Sequence, residues 1–180
     1  PLRIWLLRMG AVALIFSLQR VLFGLLNHEA FPAPPLLAFV GGIRFDLFAV
    51  AWLFMPWTLL TLAVEKPGVI MAKVQKGLFH LACTIGFLLN SIDIAYFGFT
   101  LKRSTSDLLG IATGGDDLAS LLPVFMVDYW YIVLIFLGSM AVAIAGFLWT
   151  GRHDGQERAK PWWLWRLIMA ALTLVACRGG

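Results

Sequence analysis

Several stretches of this chain are almost wholly apolar over about 20 residues, the length a helix needs to cross a hydrocarbon core of about 30 Å. A backbone in lipid must satisfy its own hydrogen bonds, so such runs fold as helices. Charged residues make up 13% of the chain, against about 25% in an ordinary soluble domain. The fold class these facts imply is all-α: a polytopic membrane protein. The excess of 14 Lys and Arg over 10 Asp and Glu is then a topology signal and not a nucleic-acid signal.

Five spans are expected in one transmembrane domain covering residues 1–180: Leu2–Leu26, Leu36–Val64, Gly77–Thr100, Phe125–Trp149 and Trp162–Cys177. The prolines of "NHEAFPAPP" end the first, because proline lacks the N–H a helix interior needs. Lys and Arg sort by side. Nine (Arg3, Arg8, Lys66, Lys73, Lys76, Arg152, Arg158, Lys160 and Arg166) fall on the side of the N-terminus, and three (Lys102, Arg103 and Arg178) on the other. That asymmetry places the N-terminus in the cytoplasm, and five crossings then bring the C-terminus outside. The chain begins at Pro1 and ends "CRGG" directly after an apolar run, which reads as a piece of something longer.

The charged residues inside the spans are the anomaly. A lone charge at mid-bilayer costs about 2.5–3.5 kcal/mol, so their depth matters. Leu47–Val64 is 18 residues, roughly 27 Å of helix at 1.5 Å per residue, which puts Arg44 and Asp46 near the outer boundary. Asn90 and Asp93 lie roughly 20–24 Å up from Gly77, and Gln19 and Arg20 roughly 24–26 Å up from Arg3. With Asp128 opening the fourth span, polar groups from four helices are expected in one layer just beneath the outer surface. The inner half shows little of the kind beyond His80. Arg44 and Arg20 are expected to offset Asp46 and Asp93 if the helices pack; Arg44 and Asp46, two residues apart, point to nearly opposite faces, so Arg44 with Asp93 is the preferred pair. Such a layer fixes helix order and depth, or supports an outer-leaflet headgroup site. A proton or ion path is disfavoured because no polar relay continues inward.

In the outer connection, Ser104 or Ser106 and then Asp116 offer helix starts, and Leu118, Leu121, Leu122 and Phe125 recur at helical spacing. Two short amphipathic helices on the outer surface are expected. Lys102 and Arg103, at the exit of the third span, either snorkel to the headgroups or contact a lipid phosphate. Gly138, Ala141 and Ala145 form a stripe suited to close helix packing. Cys83 and Cys177 read as packing residues. No spacing suggests a metal site or a phosphate-binding glycine loop.

"GIRFDLFAVAWL", "NSIDIAYFGFTLKRSTSDLL", "DYWY" and the terminal "RGG" together resemble the membrane domain of the lipoteichoic acid synthase-like branch of the alkaline phosphatase/sulfatase superfamily. The resemblance implies a membrane anchor and lipid-substrate platform in a bacterial cytoplasmic (inner) membrane. It also implies an extracytoplasmic catalytic domain after residue 180. Such enzymes transfer phosphoglycerol or phosphoethanolamine from an anionic or zwitterionic phospholipid, or hydrolyse a phosphate or sulfate ester. Their nucleophilic threonine and divalent metal (manganese, magnesium or zinc) belong to the catalytic domain, so no catalytic residue, cofactor or metal ligand is expected in this chain. Thr105 in particular is not that nucleophile. Arg44, Asp46, Asn90, Asp93, Lys102 and Arg103 match the family pattern and would face the catalytic domain; Arg20 joins them in the polar layer. The competing readings are a small transporter or channel and a purely structural anchor.

Overall fold

The computed structural model describes residues 2–29, 36–64, 67–100, 127–151 and 162–178, leaving aside the side chains of 36–38, 98–100 and 162–163. The regular elements among them are helices: α1 (Leu2–Leu26), α2 (Leu36–Leu53), α3 (Met55–Ala63), α4 (Val69–Thr100), α5 (Trp130–Gly151) and α6 (Trp162–Arg178). The expected outer helices beginning near Ser104 and Asp116 lie outside the described residues.

Three helices, α1, α4 and α5, are long and apolar enough to cross a membrane, and a fourth crossing exists if α2 and α3 act as one broken span. α6 has 17 residues, roughly 26 Å of helix, and falls short of those three. This is the architecture of a multi-pass membrane protein. Its outer face carries large apolar side chains, among them Leu14, Leu59, Leu137 and Val142, because the surrounding solvent is lipid.

Two boundaries differ from the sequence expectation. The second span is not one helix: it bends by 55° between α2 and α3. Pro56 stands in the first turn of α3, where it cannot donate to the carbonyl a turn earlier and its ring would strike that carbonyl. The chain breaks at Phe54 and restarts, with the amide of Thr58 donating to the Phe54 carbonyl at 2.9 Å. The third span begins earlier than Gly77. α4 starts at Val69 and runs 32 residues, roughly 48 Å, so it carries exposed Lys73 and Lys76 past the apolar zone.

α1 is the centre of the bundle and packs against α2, α4, α5 and α6. α4 and α5 form another seam, and α6 lies against α2 and α3. At the crossing of α1, α2 and α4 the side chain is absent: a Cβ on Gly86 would stand 2.6 Å from Phe16 Cζ and 2.7 Å from a Leu53 methyl. The core is aromatic. Phe54, Trp57 and Phe79 pack edge to face at 5.1–6.5 Å between centroids, the geometry aromatic quadrupoles prefer. Phe147 joins from α5, 4.9 Å from Phe79. Cys83 is buried in the same core, and it and Cys177 are free thiols.

Among the described residues, the small-residue stripe expected on α5 packs against no neighbouring helix. Gly138, Ala141 and Ala145 are exposed, and a Cβ on Gly138 would meet none of the described neighbours within 4 Å. The packed face carries Ser139, Met140, Ala143, Phe147 and Thr150 instead. A helix apolar all round gives no amphipathic signal to orient it.

Candidate functional site

On α1, Phe16, Gln19, Arg20 and Phe23 fall at i, i+3, i+4 and i+7, and so share one face. On α2, Gly42 and Asp46 are four apart; on α4, Phe87, Asn90, Ser91 and Ile94 repeat the same spacing. These faces meet, and their polar groups find one another.

Asp46 is 5% exposed. Arg20 grips it with both arms of the guanidinium. Nε donates to Oδ2 at 3.0 Å, and Nη2 donates to Oδ1. Ser17, from the same helix as Arg20, adds an O–H to Oδ2 at 3.3 Å. Bidentate pairs of this kind are the strong charge-assisted hydrogen bonds, and an unshared carboxylate at this burial would be costly. Gly42 makes the pair possible. A Cβ there would stand 2.7 Å from both Cδ and Nε of Arg20, so the missing side chain is the slot through which the arginine reaches Asp46.

Gln19, 2% exposed, ties the other helices together. Its Nε2 donates to Ser139 Oγ on α5 at 3.1 Å and to Ser91 Oγ on α4 at 3.4 Å. Its Oε1 accepts from Asn90 Nδ2 at 3.2 Å. Ser139 can accept because its own proton goes to the Ile135 carbonyl at 2.7 Å. Among the described residues, no buried side-chain polar atom lacks a partner. Further out, Asn27 Nδ2 donates to the Ile94 carbonyl at 3.2 Å. A narrow crevice lined by Phe16, Gln19, Arg20, Phe23, Asp46 and Asn90 opens beside the ion pair.

The polar layer thus joins α1, α2, α4 and α5, and its member on α5 is Ser139. Arg20, Asp46 and Asn90 meet in it. The partner of Asp46 is Arg20. Arg44 is exposed on the opposite face of α2 and Asp93 is half-buried, and each makes interactions of its own. Lys102 and Arg103 lie outside the described residues. Asp128 is exposed and stands eleven residues, roughly 16 Å, above Ser139. Gln19 is seven residues inside the end of α1 and Ser139 nine inside the start of α5. The layer therefore sits roughly 10–14 Å in from these helix ends. Ser17, Ser91, Ser139 and Gly42 were not singled out from the sequence. Gly42, four residues before Asp46, was the available signal.

The opposite end is not as bare as the sequence suggested. Trp5 Nε1 donates to Thr58 Oγ1 at 3.3 Å in the core. Arg8 Nε donates to Thr150 Oγ1 at 2.9 Å, and its guanidinium lies 3.8 Å from the centroid of the Phe147 ring, a cation–π contact. His80 packs edge-on against Phe147 at 5.1 Å. Between the two levels, α1 buries Val12, Ile15 and Phe16, with Phe16 against Phe87 at 5.8 Å.

No described group of His, Cys, Asp or Glu side chains is placed to hold a metal ion. The class defined here is a multi-pass helical membrane protein whose helices are joined by an ion pair and an amide–hydroxyl network on one level. No family model, curated protein or solved structure matches the chain.

Proposed function

We propose that this chain is the membrane domain of a sulfatase-superfamily enzyme of the lipoteichoic acid synthase-like kind. It has five spans, a cytoplasmic N-terminus and an extracytoplasmic C-terminus that leads into the catalytic domain. Its role is to hold the outer helix ends as a platform for that domain and for a phospholipid donor of phosphoglycerol or phosphoethanolamine. The observation that carries the reading is the buried Arg20–Asp46 pair, held with Gln19, Asn90, Ser91 and Ser139 on one level. A network with its donors and acceptors matched is built to fix geometry rather than to pass ions. Phe16, Phe87 and the aromatic cluster below it interrupt any polar path, which weighs against a transporter or channel. The divalent metal implied by the resemblance would be held by the catalytic domain.

The test is donor turnover by the full protein in membranes, read as diacylglycerol release from phosphatidylglycerol or phosphatidylethanolamine. Asp46→Asn and Arg44→Ala are expected to lower turnover at least severalfold while the protein remains inserted. Wild-type membranes that release no diacylglycerol above background would refute the enzymatic reading. Full turnover after the membrane domain is exchanged for an unrelated anchor would refute the platform.

A further inference from the structure

α4 outreaches its neighbours at its start. Gln19 bonds to Ser91 across 72 positions, and Phe16 packs on Phe87 in nearly the same register, so α1 and α4 run parallel. That register brings Lys73 level with the start of α1 and leaves Val69 roughly 6–8 Å beyond it. A hydrocarbon core of about 30 Å is about 40–45 Å thick once its headgroup layers are counted. A helix of 32 residues therefore runs from one headgroup layer to the other, and its first two turns lie in one of them. One side of these turns is engaged, with Gln75 Nε2 donating to the Leu60 carbonyl of α3 at 3.5 Å. The other side is open. Ile70, Lys73 and Val74, at i, i+3 and i+4, share a face that continues through exposed Leu81, Ile85 and Leu88.

Charge and apolar surface occur together on that open side. Val69 and Ile70 are 75% and 80% exposed, and covering them with acyl chains removes that surface from water. Lys73 and Lys76 are exposed, and neither ammonium has a partner among the described residues, whereas Arg3 and Arg8 at the same end have interactions of their own. Each lysine thus keeps three N–H donors to offer, on a stem long enough to lie along apolar surface while its head reaches phosphate depth. Because the face is continuous with the apolar stripe of the span, the partner it fits is lipid. Because its free charges are both positive, that lipid is anionic. We propose that the first two turns of α4, Val69–Lys76, form a contact surface for an anionic phospholipid. Its acyl chains cover Ile70 and Val74, and its phosphate meets Lys73 and Lys76. The surface lies roughly 27 Å along α4 from Ser91 and the polar layer, and it does not depend on the enzymatic reading.

The experiment is photolabelling of the full protein in vesicles that carry a trace of phosphatidylglycerol or phosphatidylcholine, each with a diazirine on an acyl chain beside the glycerol. Labelled peptides are mapped by mass spectrometry. Label in residues 69–76 is expected to be at least about fivefold higher with the anionic lipid, the effect of one lysine near an anionic surface. The preference fades at about 1 M salt, where the screening length is about 3 Å. The double variant Lys73→Gln with Lys76→Gln removes it, Lys73→Arg with Lys76→Arg keeps it, and Arg3→Gln leaves it intact. Ile70→Gln lowers label from both lipids. Equal labelling of wild type by the two lipids would overturn the proposal. So would a preference that survives the double glutamine variant, or one that Arg3→Gln abolishes to the same degree. Absence of label from either lipid, the outcome if a soluble protein covers this face, would overturn it as well. Circular dichroism melts show whether each variant is folded, and the salt series on wild type decides the matter if the double glutamine variant is not.

Discussion

The two levels of the bundle are held by different forces. At one level, α1, α2, α4 and α5 are joined by an ion pair and three amide–hydroxyl or amide–amide bonds around Gln19. At the other, nearer the start of α1, the bundle interlocks through the rings of Phe54, Trp57, Phe79 and Phe147. In water the aromatic cluster would dominate, because burying such rings removes much apolar surface from solvent. In lipid that driving force vanishes, since the acyl chains are as apolar as the core, and packing alone remains. A buried charge, by contrast, has nowhere cheaper to go. The ion-pair level is therefore expected to be the more sensitive to mutation although it contains the smaller side chains.

That contrast is open to direct attack. Asp46→Ala leaves Arg20 inside the bundle without its carboxylate, and loss of one partner of a buried pair costs about 3–5 kcal/mol. Reversible unfolding in mixed micelles is expected to show the largest effect here. Phe79→Ala, which would cost about 3–5 kcal/mol in a soluble core, is expected to cost about 2 kcal/mol because the transfer contribution is lost in lipid. If Phe79→Ala proves the more damaging, the ranking of the two levels is reversed.

Smaller changes sharpen the comparison. Gln19→Leu keeps the volume and removes three hydrogen bonds. At about 0.6 kcal/mol each, the average measured between transmembrane helices, the loss is about 1–2 kcal/mol. Trp5→Phe removes one bond at the aromatic level, and about 0.6 kcal/mol is expected in the same assay. An equal or larger loss from Trp5→Phe than from Gln19→Leu would show that hydrogen bonds matter no more at the ion-pair level than at the aromatic one.

What the sequence could reveal follows from the same physics. The reach of α1, Leu2–Leu26, was legible because hydropathy and flanking polar residues mark where a span starts and stops. A polar layer shared by several helices was legible from counting 1.5 Å per residue. The full set of contacts was not, because it depends on how each helix is rotated about its axis; Arg20 was expected to offset Asp46 or Asp93, and it pairs with Asp46. α2 carries its two charges on opposite faces and α5 carries none, so no single amphipathic face sets that rotation in advance. This is why the Gly138, Ala141 and Ala145 stripe was turned inward. Two signals went unread. Pro56 marks the bend, and Gly42 marks the slot that admits Arg20. Lys102 and Arg103 lie outside the described residues.

The claim on which the account depends is that Arg20 and Asp46 act as one unit clamping α1 to α2. A double-mutant cycle on unfolding free energy, with Arg20→Leu, Asp46→Leu and the double variant, measures that coupling. Each single change is expected to cost about 3–5 kcal/mol and the double change no more than either alone, because removing both charges leaves neither stranded. A double variant whose loss equals the sum of the two singles would contradict the clamp.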